Sequence, residues 1–219
     1  MTVLMSLWRS DMERQIKKRA DHLLSKTSVK DNIRWLWAVG DSNDSTEQFL
    51  LSYSNPVVTV VRCDSGVTGD GENTIRRRRS AFTASQMFTH LREDDDYACL
   101  HESDLCSPVD VIDQLFDNPL PCAAWPVIQF HDRTQFYDIW AYRSLQGQLF
   151  HSDTTAPTGR FQVSSFGSCW MAPAQLVKDR MLDDEAVVGL CKQWVKEGIK
   201  LWVNPTIVIH QPVDLWEPR

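Results

Sequence analysis

Residues 97–105, YACLHESDL, place two carboxylates, Glu102 and Asp104, one residue apart directly after an apolar run. In an extended chain, residues i and i+2 project to the same side. Two acids so placed repel each other unless a positive charge stands between them. A divalent cation shared with a diphosphate is such a charge, and oxygen ligands of this kind suit Mg2+ or Mn2+. Three other apolar runs end in polar residues. Trp8-Arg9-Ser10 closes the run 2–8, and Asp41-Ser42-Asn43-Asp44 follows the run 33–39. The run 56–63 leads into a glycine-rich stretch, DSGVTGDGEN, and then Arg76-Arg77-Arg78-Arg79. Guanidinium groups grip phosphate in a two-pronged fashion, so these acids and arginines point to a diphosphate-bearing ligand. There is no Walker loop and no GxGxxG, which argues against a P-loop or dinucleotide site.

The elements that must position these residues alternate. TVLMSLW, IRWLWAV, PVVTVVRC and the run at 97–100 read as buried strands. Between them, Ser10 and Glu13 form a capping box for a helix with apolar Met12, Ile16, Leu23 and Leu24. A short helix runs through Glu47, Phe49 and Leu50, and a longer one spans about 73–91 with Ala81, Ala84, Phe88 and Leu91 on one face. Arg77 falls on that stripe and is expected to point toward the sheet edge. Ser107-Pro108 is expected to open a fourth helix. Four strand–helix alternations predict a parallel sheet covered on both faces, and ligands of such sheets bind beyond the carboxyl ends of the strands. After Asn118 the pattern changes. Residues 122–128 and 136–142 read as strands, 151–159 as a mobile loop, 173–197 as helical and 199–210 as a last apolar strand. The expectation is one α/β domain over 1–219, with a nucleotide-binding half (1–118) and a mixed half (119–219).

Composition sets bounds. The chain has 219 residues, 42% hydrophobic, enough for a sizeable core in one domain. A net charge of -6 disfavours a general DNA-coating role. No run approaches membrane-spanning length, the start does not read as a signal peptide, and the six cysteines show no CxxC pair. A reducing, cytoplasmic setting without membrane attachment is expected.

Several of these segments carry a resemblance. Gly40-Asp41-Ser42-Asn43-Asp44-Ser45-Thr46 resembles the D-x-S-x-D-x-T turn after the second strand of GT-A fold glycosyltransferases, with the leading acid displaced to Asp41. HESDL resembles their D-x-D metal motif, with glutamate in first place. FGSCWMAPAQL (166–176), Asp184-Glu185, KEGIKLWVNP and Ile209-His210 are similar in order to the last third of the fungal mannosyltransferase (Anp-like) family and its bacterial and viral relatives. TQFYDIWAYR resembles the tyrosine-aspartate segment of those enzymes. The resemblance implies a GT-A type nucleotide-sugar-binding fold, a mixed, mostly parallel sheet flanked by helices, and transfer of a sugar from a UDP- or GDP-sugar to an acceptor hydroxyl with Mn2+ or Mg2+. It implies that Asp104, Glu102 and His210 hold the metal. Trp8, Arg9, Asp41, Asp44, Arg76, Arg77, Glu102 and Ser103 would line the donor site. Tyr137, Asp138 and Trp170 would lie on the acceptor side, and Glu185 or Asp184 would deprotonate the acceptor of an inverting enzyme.

Other readings stand beside it. Asp41 to Thr46 also suits a helix cap, the arginine run a solvated face, and the tryptophans the core, with Trp8, Trp125 and Trp140 near strand ends able to stack on a base or sugar. The acceptor is a glycan or, as for viral enzymes that modify hydroxymethylated bases, DNA, in which case the protein would work in a host cytoplasm. A nucleotidyltransferase or a non-catalytic nucleotide-sugar-binding module would use the same strand ends.

Overall fold

A computed structural model describes residues 1–8, 15–30, 32–53, 55–68, 72–130 and 133–212. The strands are β1 (Thr2–Trp8), β2 (Ile33–Val39), β3 (Val58–Arg62), β4 (Tyr97–His101), β5 (Cys122–Phe130), β6 (Arg133–Phe136), β7 (Phe161–Val163), β8 (Cys169–Pro173) and β9 (Leu201–Gln211). They form one nine-stranded sheet in the order β3-β2-β1-β4-β8-β5-β9-β7, with β6 paired to β5. The first four are parallel, as the alternation predicts. β8 then enters antiparallel to both β4 and β5, and β9 runs parallel to β5. The fold is thus a mixed α/β sheet flanked by helices.

Strand alternation sorts side chains onto two faces. Val3, Met5, Ala98 and Leu100 pack with α3 (Glu72–Phe88) and α5 (Val187–Lys196) through Ala84, Phe88 and Trp194. Leu4, Trp8, Trp35 and Cys99 pack with α1 (Ile16–Leu24), α2 (Thr46–Ser52) and α4 (Val111–Phe116) through Leu23, Leu50 and Leu115. Two prolines explain the irregular partner strand. Pro126 in β5 and Pro205 in β9 cannot donate to a ladder, and the β5–β9 register breaks between Ala124 and Trp125, where prolines are tolerated.

Several boundaries differ from expectation. The helix expected at Ser107-Pro108 starts only at Val111, because the Ser107 and Pro108 carbonyls accept hydrogen bonds from Lys26 Nζ at 2.7 and 3.2 Å. Residues 137–142 form a turn rather than a strand. The 173–197 region holds one 3-10 turn (Ala174–Leu176) before α5. The loop expected at 151–159 is tied to the sheet, with the Phe136 N–H donating to Ser152 O at 3.1 Å. The capping box of Ser10 and Glu13 lies outside the described residues. Among the described residues no helix is long and apolar enough to cross a membrane, and all six cysteines are free thiols.

Candidate functional site

The carboxyl ends of β1 to β4 share one edge, and the loops there are built around particular residues. Gly40 ends β2 where a Cβ would stand 2.0 Å from the Cys63 carbonyl oxygen, so only glycine lets the ends of β2 and β3 approach this closely. Asp41 follows in the left-handed region, φ 52°. Its carboxylate accepts the Ser65 N–H at 3.1 Å, the Ser65 hydroxyl and the Gly66 N–H at 3.3 Å, with Arg79 Nε at 3.8 Å. Arg79 also donates to Val67 O at 3.0 Å. Asp41 therefore latches the start of the glycine-rich loop. Asp44 accepts the Ser42 hydroxyl at 3.1 Å and the Thr46 N–H at 2.9 Å, which caps the start of α2. Beside these residues lies an open depression of ≈ 630 Å³ lined by Asp41, Asp44, Glu47, Asp64 and Arg62 among others.

The acidic turn after β4 is held from both ends. His101, fully buried, places Nδ1 2.9 Å from Glu102 O and Nε2 2.8 Å from Ser107 Oγ. Burial holds its pKa down to about 3, so the ring is neutral. His22 accepts the Ser107 N–H at 3.2 Å, and desolvation and the nearby Lys26 hold its pKa near about 4. Cys106 exchanges backbone hydrogen bonds with His210 at 2.8 and 2.7 Å. Ser103 and Asp104 are buried and Glu102 is half-buried.

Ser168 joins this turn to another. It sits at φ 64°, unusual for serine. Its carbonyl accepts the Glu102 N–H at 3.2 Å and its hydroxyl donates to Asp138. Gly167 beside it has no room for a Cβ, which would lie 2.6 Å from both Asp138 Oδ2 and the Ala141 Cβ. Burial raises the Asp138 pKa. The Ser168 and Ala141 hydrogen bonds and the Arg76 guanidinium oppose the rise, while the Asp104 carboxylate adds to it. Arg76 and Asp104 thus each lie within electrostatic reach of Asp138.

The other expected residues are distributed less evenly. Arg9 lies outside the described residues. Trp8 is a correction: it is 4% exposed, its ring 5.2 Å from that of Trp37, so the core rather than a ligand occupies its faces. Trp170 is likewise fully buried, edge-on to Trp194 at 5.7 Å. Arg76 and Arg77 are both exposed, and the stripe that should have turned Arg77 inward begins only where α3 meets the sheet. Asp184 pairs with Arg78 Nε at 2.9 Å, and Glu185 pairs with Lys192; both pairs are exposed. Tyr137 is half-buried beside Asp138, its N–H donating to Pro126 O. The His210 side chain is exposed and its link to the acidic turn is through the backbone. Among the described residues no three His, Cys, Asp or Glu side chains converge to hold a metal ion, so Asp104, Glu102 and His210 do not form a preassembled triad. Gly167 and Ser168 lie in the segment 166–176 that the sequence marked out, but sequence reasoning gave neither a role, because those roles rest on a close approach between distant segments.

No protein-family model matches the sequence, and no curated protein matches it. Solved structures do. The mannosyltransferase PcManGT from Pyrobaculum calidifontis, in complex with GDP-Man and Mn2+, aligns with a TM-score of 0.58 at 12% identity over 95% of this chain and 56% of that one. S. aureus TarS 1-349 in complex with UDP-GlcNAc aligns with a TM-score of 0.58 at 13% identity over 100% of this chain and 60% of that one. The chain thus spans little more than half the length of these neighbours. The likeness shows the fold, that of GT-A glycosyltransferases.

Proposed function

We propose that the protein is a glycosyltransferase that moves a sugar from a UDP- or GDP-sugar to an acceptor hydroxyl with the help of Mn2+ or Mg2+. The observation that carries this reading is that Asp41 and Asp44 follow the carboxyl end of β2 and Glu102 and Asp104 that of β4, two strands parallel to β1 between them, in a fold whose solved neighbours include complexes with GDP-Man or UDP-GlcNAc. The order of motifs similar to Anp-like mannosyltransferases agrees with it.

The residues present fit a cation shared with a diphosphate better than an all-protein cage. Burial raises the Asp138 pKa and the Asp104 carboxylate adds a little to it, a repulsion that a cation would relieve, and no group of three ligands converges among the described residues. Asp104 and Glu102 would hold the ion, with His210 near through the Cys106 backbone pair. When bound, the ion supplies charge neutralisation for the leaving diphosphate. Arg76 and Arg77, exposed at the start of α3, add positive charge on the same side. The Asp41-latched loop walls the nucleoside end, with Asp44 and Ser103 beside the donor. Asp184, held by Arg78 over the same helix start, accepts the acceptor proton, with Glu185 as its neighbour. The acceptor is a glycan, and free thiols suit a reducing, cytoplasmic setting.

The test is thermal stabilisation by GDP- and UDP-sugars with and without Mn2+, alongside Asp104→Ala. A donor at about 100 times its dissociation constant stabilises by roughly 2.7 kcal/mol, and the shift should depend on metal and vanish in the variant. No shift with any donor removes this reading; a shift without transfer to any acceptor identifies a binding module instead.

A further inference from the structure

The turn at 137–142 is fixed far more firmly than its length requires, and it carries one large apolar side chain outward. Asp138 accepts the Ser168 hydroxyl and the Ala141 N–H. The Ala141 carbonyl accepts the Ser165 hydroxyl at 2.5 Å, and the Arg143 N–H donates to Ser165 O at 3.1 Å. The Tyr142 hydroxyl, fully buried, donates to Ala124 O at 2.6 Å and lies 3.2 Å from Gly167 O. Between these anchors Trp140 stands 74% exposed. Most of the chain's other tryptophans are spent on the core, among them Trp8, Trp37, Trp125, Trp170 and Trp194. An indole held rigidly in water loses hydrophobic stabilisation and recovers it only when a flat apolar surface covers it.

We infer that Trp140 is the stacking platform for a pyranose ring of the acceptor, an inference that rests on the transferase reading above. Three observations choose this occupant. The turn that carries Trp140 is bonded through Asp138 and Ser168 to Glu102, which ties it to the acidic turn. A pyranose presents a flat C–H face that covers an exposed indole. A nucleic acid would bring phosphates toward Asp104 and Asp138 in a chain of net charge -6, which opposes it.

The experiment follows indole N–H signals of 15N-labelled protein by NMR, with the Trp140 peak identified by its loss in Trp140→Phe. Methyl α-mannoside, methyl β-glucoside, methyl N-acetyl-β-glucosaminide, mannobiose and a single-stranded oligodeoxynucleotide are titrated separately. Melting shifts with GDP and UDP plus Mn2+ report the donor site independently. A saccharide should move the Trp140 signal, Trp140→Ala should weaken that saccharide about tenfold, Trp140→Phe should keep most of its affinity, and nucleotide shifts should be unchanged in both. The inference is overturned if no saccharide moves the signal, if Trp140→Ala binds saccharide like the parent, or if only the oligonucleotide moves it. Loss of the nucleotide shift in the parent protein, with saccharide stacking intact, would instead sink the donor reading.

Discussion

Asp41 stands at the point where a donor contact and a structural latch make opposite predictions, and Asp41→Asn separates them. Asparagine tolerates the left-handed backbone that Asp41 adopts at φ 52°, so the substitution removes charge without adding strain. The carboxylate accepts two N–H groups and a hydroxyl and has Arg79 at 3.8 Å, with its side chain only 13% exposed. An amide supplies one acceptor oxygen and turns an NH2 toward a donor it cannot satisfy. Hydrogen bonds to charged groups contribute roughly 1.5–3 kcal/mol each, and partial compensation by Arg79 and water brings the expected loss to about 2 kcal/mol. For a chain of this size that is a fall of about 4–8 °C in melting temperature. Urea unfolding of Asp41→Asn, Ser65→Ala and the double variant measures it, because two halves of one latch must couple by at least about 0.5 kcal/mol. Additive effects, or an unchanged midpoint in Asp41→Asn, would refute the latch. A stable variant that no longer binds nucleotide would return Asp41 to the role of direct ligand contact.

Two further expectations concern the acids and the histidines. The folded pKa of His101 lies near about 3, well below its ordinary value, so the unfolded chain binds the proton more readily. Stability is fully present above about pH 6.5 and falls as the pH drops toward the folded pKa, by about 1.4 kcal/mol per pH unit for this residue. His22 adds a smaller share because water screens it. Urea midpoints between pH 7 and 4.5 should show this slope, and His101→Gln should flatten it; an equal slope in the variant assigns the acid limb elsewhere. Asp184→Asn breaks only an exposed pair with Arg78, so stability should change by at most about 0.5 kcal/mol. Transfer should fall by about 100-fold or more with donor binding intact, whereas full activity in the variant would exclude Asp184 as the base.

The legible part of this fold is the part where one element decides its own form. Apolar runs gave β1, β2 and β4 their places because their side chains are buried on both faces of the sheet. Two acids at a strand end are more often a solvated turn, and the acidic turn after β4 stood out only because it follows one of four strands predicted to be parallel. Residues 136–142 misled because FYDIWAY alternates like a strand, yet Asp138 finds the Ala141 N–H and the Ser168 hydroxyl and folds it into a turn. That choice depends on a residue 30 positions away. Trp8 misled for a related reason. Its place at a strand end suggested a ligand, but strand parity turns it toward Trp37 and α1. Residues 122–128 and 199–210 read as plain strands, and the register shift near Pro126 and Pro205 appears only once β5 and β9 are neighbours.

Ser168 explains why the two sides of the site keep a fixed relation. A serine in the left-handed region costs about 1–2 kcal/mol relative to an ordinary backbone, and it persists only where its surroundings over-determine it. Here its carbonyl holds the Glu102 N–H and its hydroxyl holds Asp138, while Gly167 leaves no gap through which the two could separate. The acidic turn and the turn that presents Trp140 are therefore tied together through one residue. The Asp41 latch closes on the loop after β3, where Ser65 bonds Asp41 and Arg79 of α3 donates to Val67 O. A donor diphosphate bound between the acidic turn and the latched loop would therefore meet two segments each fixed by its own hydrogen bonds.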